Sequence, residues 1–150
     1  MDTNELVTQI LDRVPGAVLE KSRFGRSEMG LFWLRAGQLE EVARLLKGEA
    51  GFDCLENLAA MQLDENLLFT YFIRKSETDE MIALRVSVEA GPGEEWVDLQ
   101  SVAAVWPMAV PLESEASRLL GAKIPGQPNE KEWDGFPLRK SFVFHGGVAP

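Results

Sequence analysis

The chain has 150 residues, 45% hydrophobic and 26% charged, with a formal net charge of -9 at pH 7 and a pI near 4.7. That length fits one domain with its own core, and the excess of 24 acidic over 15 basic side chains speaks against nucleic acid or an anionic membrane surface, both of which call for clustered cations. One cysteine and one histidine exclude an internal disulfide framework and most metal sites built from nitrogen and sulfur ligands.

Residues 2–14 predict an amphipathic helix. Leu6, Val7, Ile10, Leu11 and Val14 recur at helical spacing, Asp2 with Glu5 suits an N-cap and its partner, and Pro15-Gly16 ends the run. This N-terminal stretch has neither the basic region nor the apolar centre of a secretory signal, and no apolar run in the chain nears the roughly 18 residues that span a bilayer, so a cytoplasmic location is expected. Strands are predicted at 17–24 and 29–36, the second (MGLFWLRA) too apolar to be solvated on both faces. A second helix is expected over 38–47 (QLEEVARLLK), with Leu39, Val42, Leu45 and Leu46 on one face, Glu40 and Glu41 at its start, Arg44 and Lys47 near its end, and Gly48 as C-cap.

Three further strands are expected at about 53–62, 67–75 and 81–89. The clearest is MIALRVSV, where Ile82, Leu84, Val86 and Val88 alternate with Met81, Ala83, Arg85 and Ser87. The intervening turns are short enough for antiparallel hairpins. AGPGEE (90–95) reads as a loop, and a third helix is expected over 111–120, from Pro111 to Gly121. The resulting order predicts an α+β two-layer sandwich, with helices on one face of a mostly antiparallel mixed sheet. The natural division is a domain at 1–121 and an irregular tail at 122–150, which has little periodicity and must lean on something.

Catalytic templates fail on inventory. A Ser or Cys nucleophile needs a base in reach, and His145 lies in the Gly-rich terminus FHGGVAP; Cys54, at the start of a strand with Phe52 and Leu55 as apolar neighbours, reads as core. Glu113 and Glu115 are two apart and do not face each other on a helix. Gly121-Ala-Lys-Ile-Pro-Gly126 has the glycine spacing of a phosphate loop but continues with Gln127-Pro128 where Lys and Ser or Thr belong. The expectation is a chain with no catalytic residues of its own and no cofactor or metal. Of the four tryptophans, Trp33 reads as core, whereas Trp96, Trp106 and Trp133 fall in or beside Pro-bearing irregular segments that either complete the core or form an interface.

The run SVAAVWPMAVPLESEASRLLGAKIPGQP (101–128), followed by WDGFPLRKSF (133–142), resembles the 30 kDa subunit family of respiratory complex I, the NADH-quinone oxidoreductase. Ser101, Val102, Trp106, Pro107, Ala109, Glu113, Glu115, Leu119, Gly121, Gly126 and Pro128 fall into that family's register. Trp133, Gly135, Pro137, Leu138, Arg139, Lys140 and Phe142 match its terminal motif. Ser114, Arg118, Gln127 and Ser141 depart from it, and the stretch before Trp133 is shortened.

The resemblance implies a non-catalytic, cofactor-free subunit in the peripheral arm of a membrane-bound electron-transfer complex, either complex I or a related energy-converting nickel–iron hydrogenase. Such a subunit would sit on the inner face of the cell membrane only through its partners, the large (49 kDa-like, or hydrogenase large) subunit and the iron–sulfur subunit. Residues 122–150 then become a partner-docking segment and tail, with Glu113, Glu115, Trp133, Gly135, Pro137, Leu138, Arg139 and Lys140 as the candidate partner-binding residues. Composition alone also suits a small acidic secretion-type chaperone, which would have no use for the terminal motif.

Overall fold

The computed structural model describes residues 3–24, 27–89 and 96–126, without the side chains of 22, 24, 27 and 28. Helix α1 (Thr3–Arg13) turns Leu6 and Ile10 inward, as the spacing requires. Strands β1 (Val18–Phe24) and β2 (Ser27–Leu34) form an antiparallel pair. A short 3-10 turn, Ala36–Gln38, then leads into helix α2 (Leu39–Ala50), which buries Leu39, Val42, Ala43, Leu46 and Ala50.

Helix α2 runs two residues past the expected cap. Gly48 sits inside it, and Gly51 takes the left-handed conformation (φ 76°) that closes a helix at little steric cost to glycine. The reason is tertiary: Ala50 and Phe52 are both buried, and the Phe52 N–H bonds back to the Leu46 carbonyl at 3.0 Å. The packing there outweighs the roughly 1 kcal/mol that an interior glycine costs.

Strands β3 (Cys54–Leu63), β4 (Asn66–Lys75) and β5 (Glu80–Glu89) follow as two antiparallel hairpins. Asp64 (φ 54°) and Asp79 (φ 62°) supply the left-handed turn positions, which short polar side chains tolerate best after glycine. The sheet order is β1-β2-β5-β4-β3, and its one parallel pairing joins β2 to β5, so the strand with the cleanest alternation lies in the middle. Helix α3 (Ala109–Leu120) begins two residues earlier than expected. The N–H groups of Ala109 and Val110 wind onto the Trp106 and Pro107 carbonyls, which leaves Pro111 in the first turn, where its missing N–H has no helical partner to lose.

One face of the sheet carries Phe32, Leu34, Phe69, Tyr71, Ile73, Ile82, Leu84 and Val86, packed against all three helices and the segment after β5. This is the predicted α+β sandwich. Ala122 and Ile124, beyond α3, also lie in this core. The expected loop at 90–95, His145 and all of WDGFPLRKSF lie outside the described residues.

Candidate functional site

The family-like run 101–126 folds around one side chain, Glu113. Its carboxylate is fully buried in α3 and accepts hydrogen bonds from the Ser101 hydroxyl (2.5 Å), the Val102 N–H (3.2 Å) and the Tyr71 hydroxyl of β4 (3.1 Å). Ser101 in turn accepts from the Ala103 N–H at 3.1 Å. A buried carboxylate is tolerable only when its acceptor sites are filled. Here the filling donors come from a loop, a strand and that loop's own backbone, so Glu113 ties three elements together. Burial, reinforced by the neighbouring Glu113, holds the Tyr71 phenol well above its ordinary pKa.

Trp106 works beside this clamp. Its indole is buried and Nε1 donates to the Phe52 carbonyl at 3.0 Å, while Lys47 Nζ reaches the adjacent Val105 carbonyl at 2.5 Å. The loop is thereby fastened to the end of α2 as well. Gly121 (φ 64°) ends α3, and the chain returns alongside its own beginning: the Val97 N–H bonds the Lys123 carbonyl and the Ser101 N–H the Pro125 carbonyl. Trp106 therefore completes the core. Trp96 takes the other course; it is 43% exposed, with Lys123 Nζ 5.2 Å from its ring centre. Met108 and Leu119 add exposed apolar surface along the same stretch.

Two residues of the candidate set are thus separated by the structure. Glu113 faces inward, and Glu115, two positions on, is exposed on the outer side of α3. Trp133, Gly135, Pro137, Leu138, Arg139 and Lys140 lie outside the described residues. Tyr71 and Lys47 escaped sequence reasoning: nothing local marks a lone tyrosine in an apolar strand as the partner of a carboxylate 42 positions away.

Two core assignments need correction. Trp33 is half-buried on the face of the sheet opposite the helices, where Arg85 stacks 5.2 Å from its ring centre and donates from Nε to Thr70 Oγ1 at 2.8 Å. Strand alternation places it there, since its neighbours Phe32 and Leu34 take the core side. Cys54 is also only half-buried, beside Glu56 and Arg74; burial first, and then Glu56, raises its thiol pKa. Among the described residues, no group of three or more His, Cys, Asp or Glu side chains is placed to hold a metal ion.

The class of protein follows from this geometry: an α+β domain whose buried carboxylate is committed to holding a Trp-bearing loop against the sheet. Residues 32–148 match the family described as the respiratory-chain NADH dehydrogenase 30 kDa subunit, a match that runs through the terminal motif. The chain is 32% identical over 113 residues to the C-type subunit of the NADH-quinone oxidoreductase of Moorella thermoacetica, an alignment covering 71% of this chain and 75% of that one. It is also 26% identical to the C/D-type subunit of the NADH-quinone oxidoreductase of Rhodopseudomonas palustris, over 94% of its own length and 26% of the relative's. Among solved structures, a chain of the membrane-bound sulfane sulfur reductase, an archaeal respiratory membrane complex, superposes with a TM-score of 0.67 over 98% of both chains at 16% identity, a likeness of fold. The chain belongs to the complex I 30 kDa subunit family.

Proposed function

We propose that this chain is a non-catalytic structural subunit in the peripheral arm of a membrane-bound respiratory electron-transfer complex, packing on the large subunit and the iron–sulfur subunit through the terminal motif and the outer side of α3. The observation that carries the reading is the C/D-type relative, in which sequence like this chain occupies 26% of a polypeptide that also bears the D portion. Joining two modules in one chain is productive when they are neighbours in the assembly, because the link raises their effective concentration. The large subunit is accordingly the first partner, with Glu115, Trp133, Gly135, Pro137, Leu138, Arg139 and Lys140 as contact residues. Glu113 contributes from inside, by fixing the loop that carries Trp106.

No described helix is long and apolar enough to cross a membrane. In this reading the complex carries the attachment to the inner face of the cell membrane. The host is complex I or a related energy-converting complex, and a tagged pull-down from native membranes, with partners identified by mass, separates these. The decisive experiment reverses charge at the terminal motif. Arg139→Glu with Lys140→Glu should leave the melting temperature of the isolated chain unchanged and abolish co-purification with the large subunit. Reversal at a desolvated contact costs on the order of 2–5 kcal/mol of binding, enough to empty a micromolar complex. Assembly at wild-type yield in both high and low salt would overturn the docking reading.

A further inference from the structure

Helix α2 carries a glycine that its own packing does not call for. Gly48 lies inside the helix, where glycine is a poor former, and the left-handed close is supplied further on by Gly51. A methyl group placed on Gly48 would meet nothing within 4 Å, so no close approach excludes a side chain there. Gly48 instead lines an open hollow of about 420 Å³, formed from α2 by Arg44, Lys47 and Gly48 and from the loop after β5 by Ala104 and Val105. The three helix positions stand at i, i+3 and i+4 and share one side. Both walls are fixed from within: α2 buries Val42, Ala43 and Leu46, while buried Val105 and the Trp106 indole, bonded to the Phe52 carbonyl, seat the loop. Arg44 gives Nε and Nη2 to Glu40, and Lys47 gives one of its three donors to the Val105 carbonyl, so each cation keeps N–H groups for a further acceptor.

We infer that this hollow receives an Asp or Glu side chain of a neighbouring subunit of the respiratory complex. The inference rests on the proposed subunit role for the existence of a neighbour, and it uses no residue of the terminal motif. Charge selects the occupant. Two cations beside a missing side chain make a recess for a small anionic group, and a carboxylate on Arg forms the stronger class of hydrogen bond. An anionic membrane surface would have to approach a molecule of net charge -9, and a second copy would bring the same charge again. A single carboxylate on a partner surface meets the two cations at contact distance, well inside the roughly 8 Å over which charges act at physiological salt. Glycine at position 48 keeps the recess open, which accounts for a residue that weakens its own helix.

Tagged chain purified from native membranes, with the accompanying subunits quantified by mass, tests this. Gly48→Glu puts a carboxylate of the chain's own beside the cations, and Gly48→Lys fills the same space with the opposite charge. Both isolated variants should melt no lower than wild type, because each replaces a glycine within a helix. Recovery of the accompanying subunits should be lower for Gly48→Glu than for Gly48→Lys by on the order of tenfold or more. Wild-type recovery with Gly48→Glu, or equal losses for both variants, would overturn the inference and leave docking through the terminal motif untouched. If the wild-type chain brings down no respiratory subunit, the subunit reading falls and this inference with it. Occupancy is read directly with Gly48→Cys in a Cys54→Ser background, whose labelling by a thiol reagent should slow several-fold in the complex relative to the isolated chain. Unchanged labelling would overturn the inference. So would protection of the isolated chain by phosphatidylglycerol vesicles, or protection that grows with chain concentration, since a membrane or a second copy would then be the occupant. If Gly48→Glu lowers the melting temperature, the labelling decides alone.

Discussion

The two faces of the sheet are closed on different terms. The helix side is sealed by the three helices together with the segment after β5, and the one carboxylate buried there among the described residues, Glu113, is satisfied by donors from β4 and that segment. The far side pairs a small dry patch, Met29, Leu31 and Ala83, with a polar neighbourhood in which Arg85 lies between Trp33 and Thr70. The closure differs in kind: among the described residues, helices and the loop after β5 seal the helix side, while on the far side Trp33, Phe72 and Met81 of the sheet's own strands pack against the Met29, Leu31 and Ala83 patch.

The helix side should respond most strongly to substitution. Glu113→Ala strands the Tyr71 hydroxyl, the Ser101 hydroxyl and the Val102 N–H in a buried site, and should cost about 3–5 kcal/mol in denaturant unfolding. Ser101→Ala leaves the carboxylate two of these donors and should cost about 1–3 kcal/mol. A loss under 1 kcal/mol for Glu113→Ala would mean that the loop is held by Trp106 and Lys47 instead.

A matched pair of leucines then sets one face directly against the other. Leu84, on β5 toward the helices, and Leu31, on β2 away from them, both have 0% exposure. Truncating a fully buried leucine to alanine costs about 2–5 kcal/mol. Leu84→Ala should fall in that range. If the far face is covered in the isolated chain, Leu31→Ala should as well; if it is bare in solution, Leu31→Ala should cost less than about 1 kcal/mol.

Titration probes the clamp without substitution, because Tyr71 is the only tyrosine in the chain. Its folded pKa is raised above the unfolded value near 10, first by burial and then by Glu113. The contribution to stability is therefore complete below about pH 10 and is lost as the pH climbs through the folded pKa. Tyrosinate absorbance should stay absent past pH 10 and rise only together with the loss of the native circular dichroism signal. A smooth titration centred near 10 in a chain that remains folded would show the phenol to be solvated.

What could be read in advance follows the same division. The three helices and five strands announce themselves through spacing, since periods of 3.6 and 2 are written locally. Only their ends differ from expectation, where Phe52 prolongs α2 past Gly48 and Trp106 draws the start of α3 back to Ala109. The clamp is illegible in the sequence, because the partners of Glu113 lie 11, 12 and 42 residues away and hydrogen-bond complementarity has no period. Trp33 misleads for a related reason: in a strand apolar on both faces, composition does not say which side the helices take. The apolar character of MGLFWLRA on both sides is nonetheless real, as the zero exposure of both Phe32 and Leu31 shows.

The mildest substitution carries the contrast between inside and outside onto a single helix. Glu115 lies two positions from Glu113 but points about 200° around the helix axis from it, on the exposed side of α3. Its charge sits in solvent, where removing a carboxylate changes neither a buried cavity nor a buried donor, so Glu115→Ala should alter stability by no more than about 0.5 kcal/mol. The same substitution in the assembled complex asks a different question. If the outer side of α3 meets the large subunit, Glu115→Ala should weaken co-purification at high salt while the isolated chain melts as before. Equal yields with and without Glu115 would confine docking to the terminal motif. A stability loss above 1 kcal/mol in the isolated chain would instead assign the residue to the fold, and the two glutamates would no longer divide the work between interior and surface.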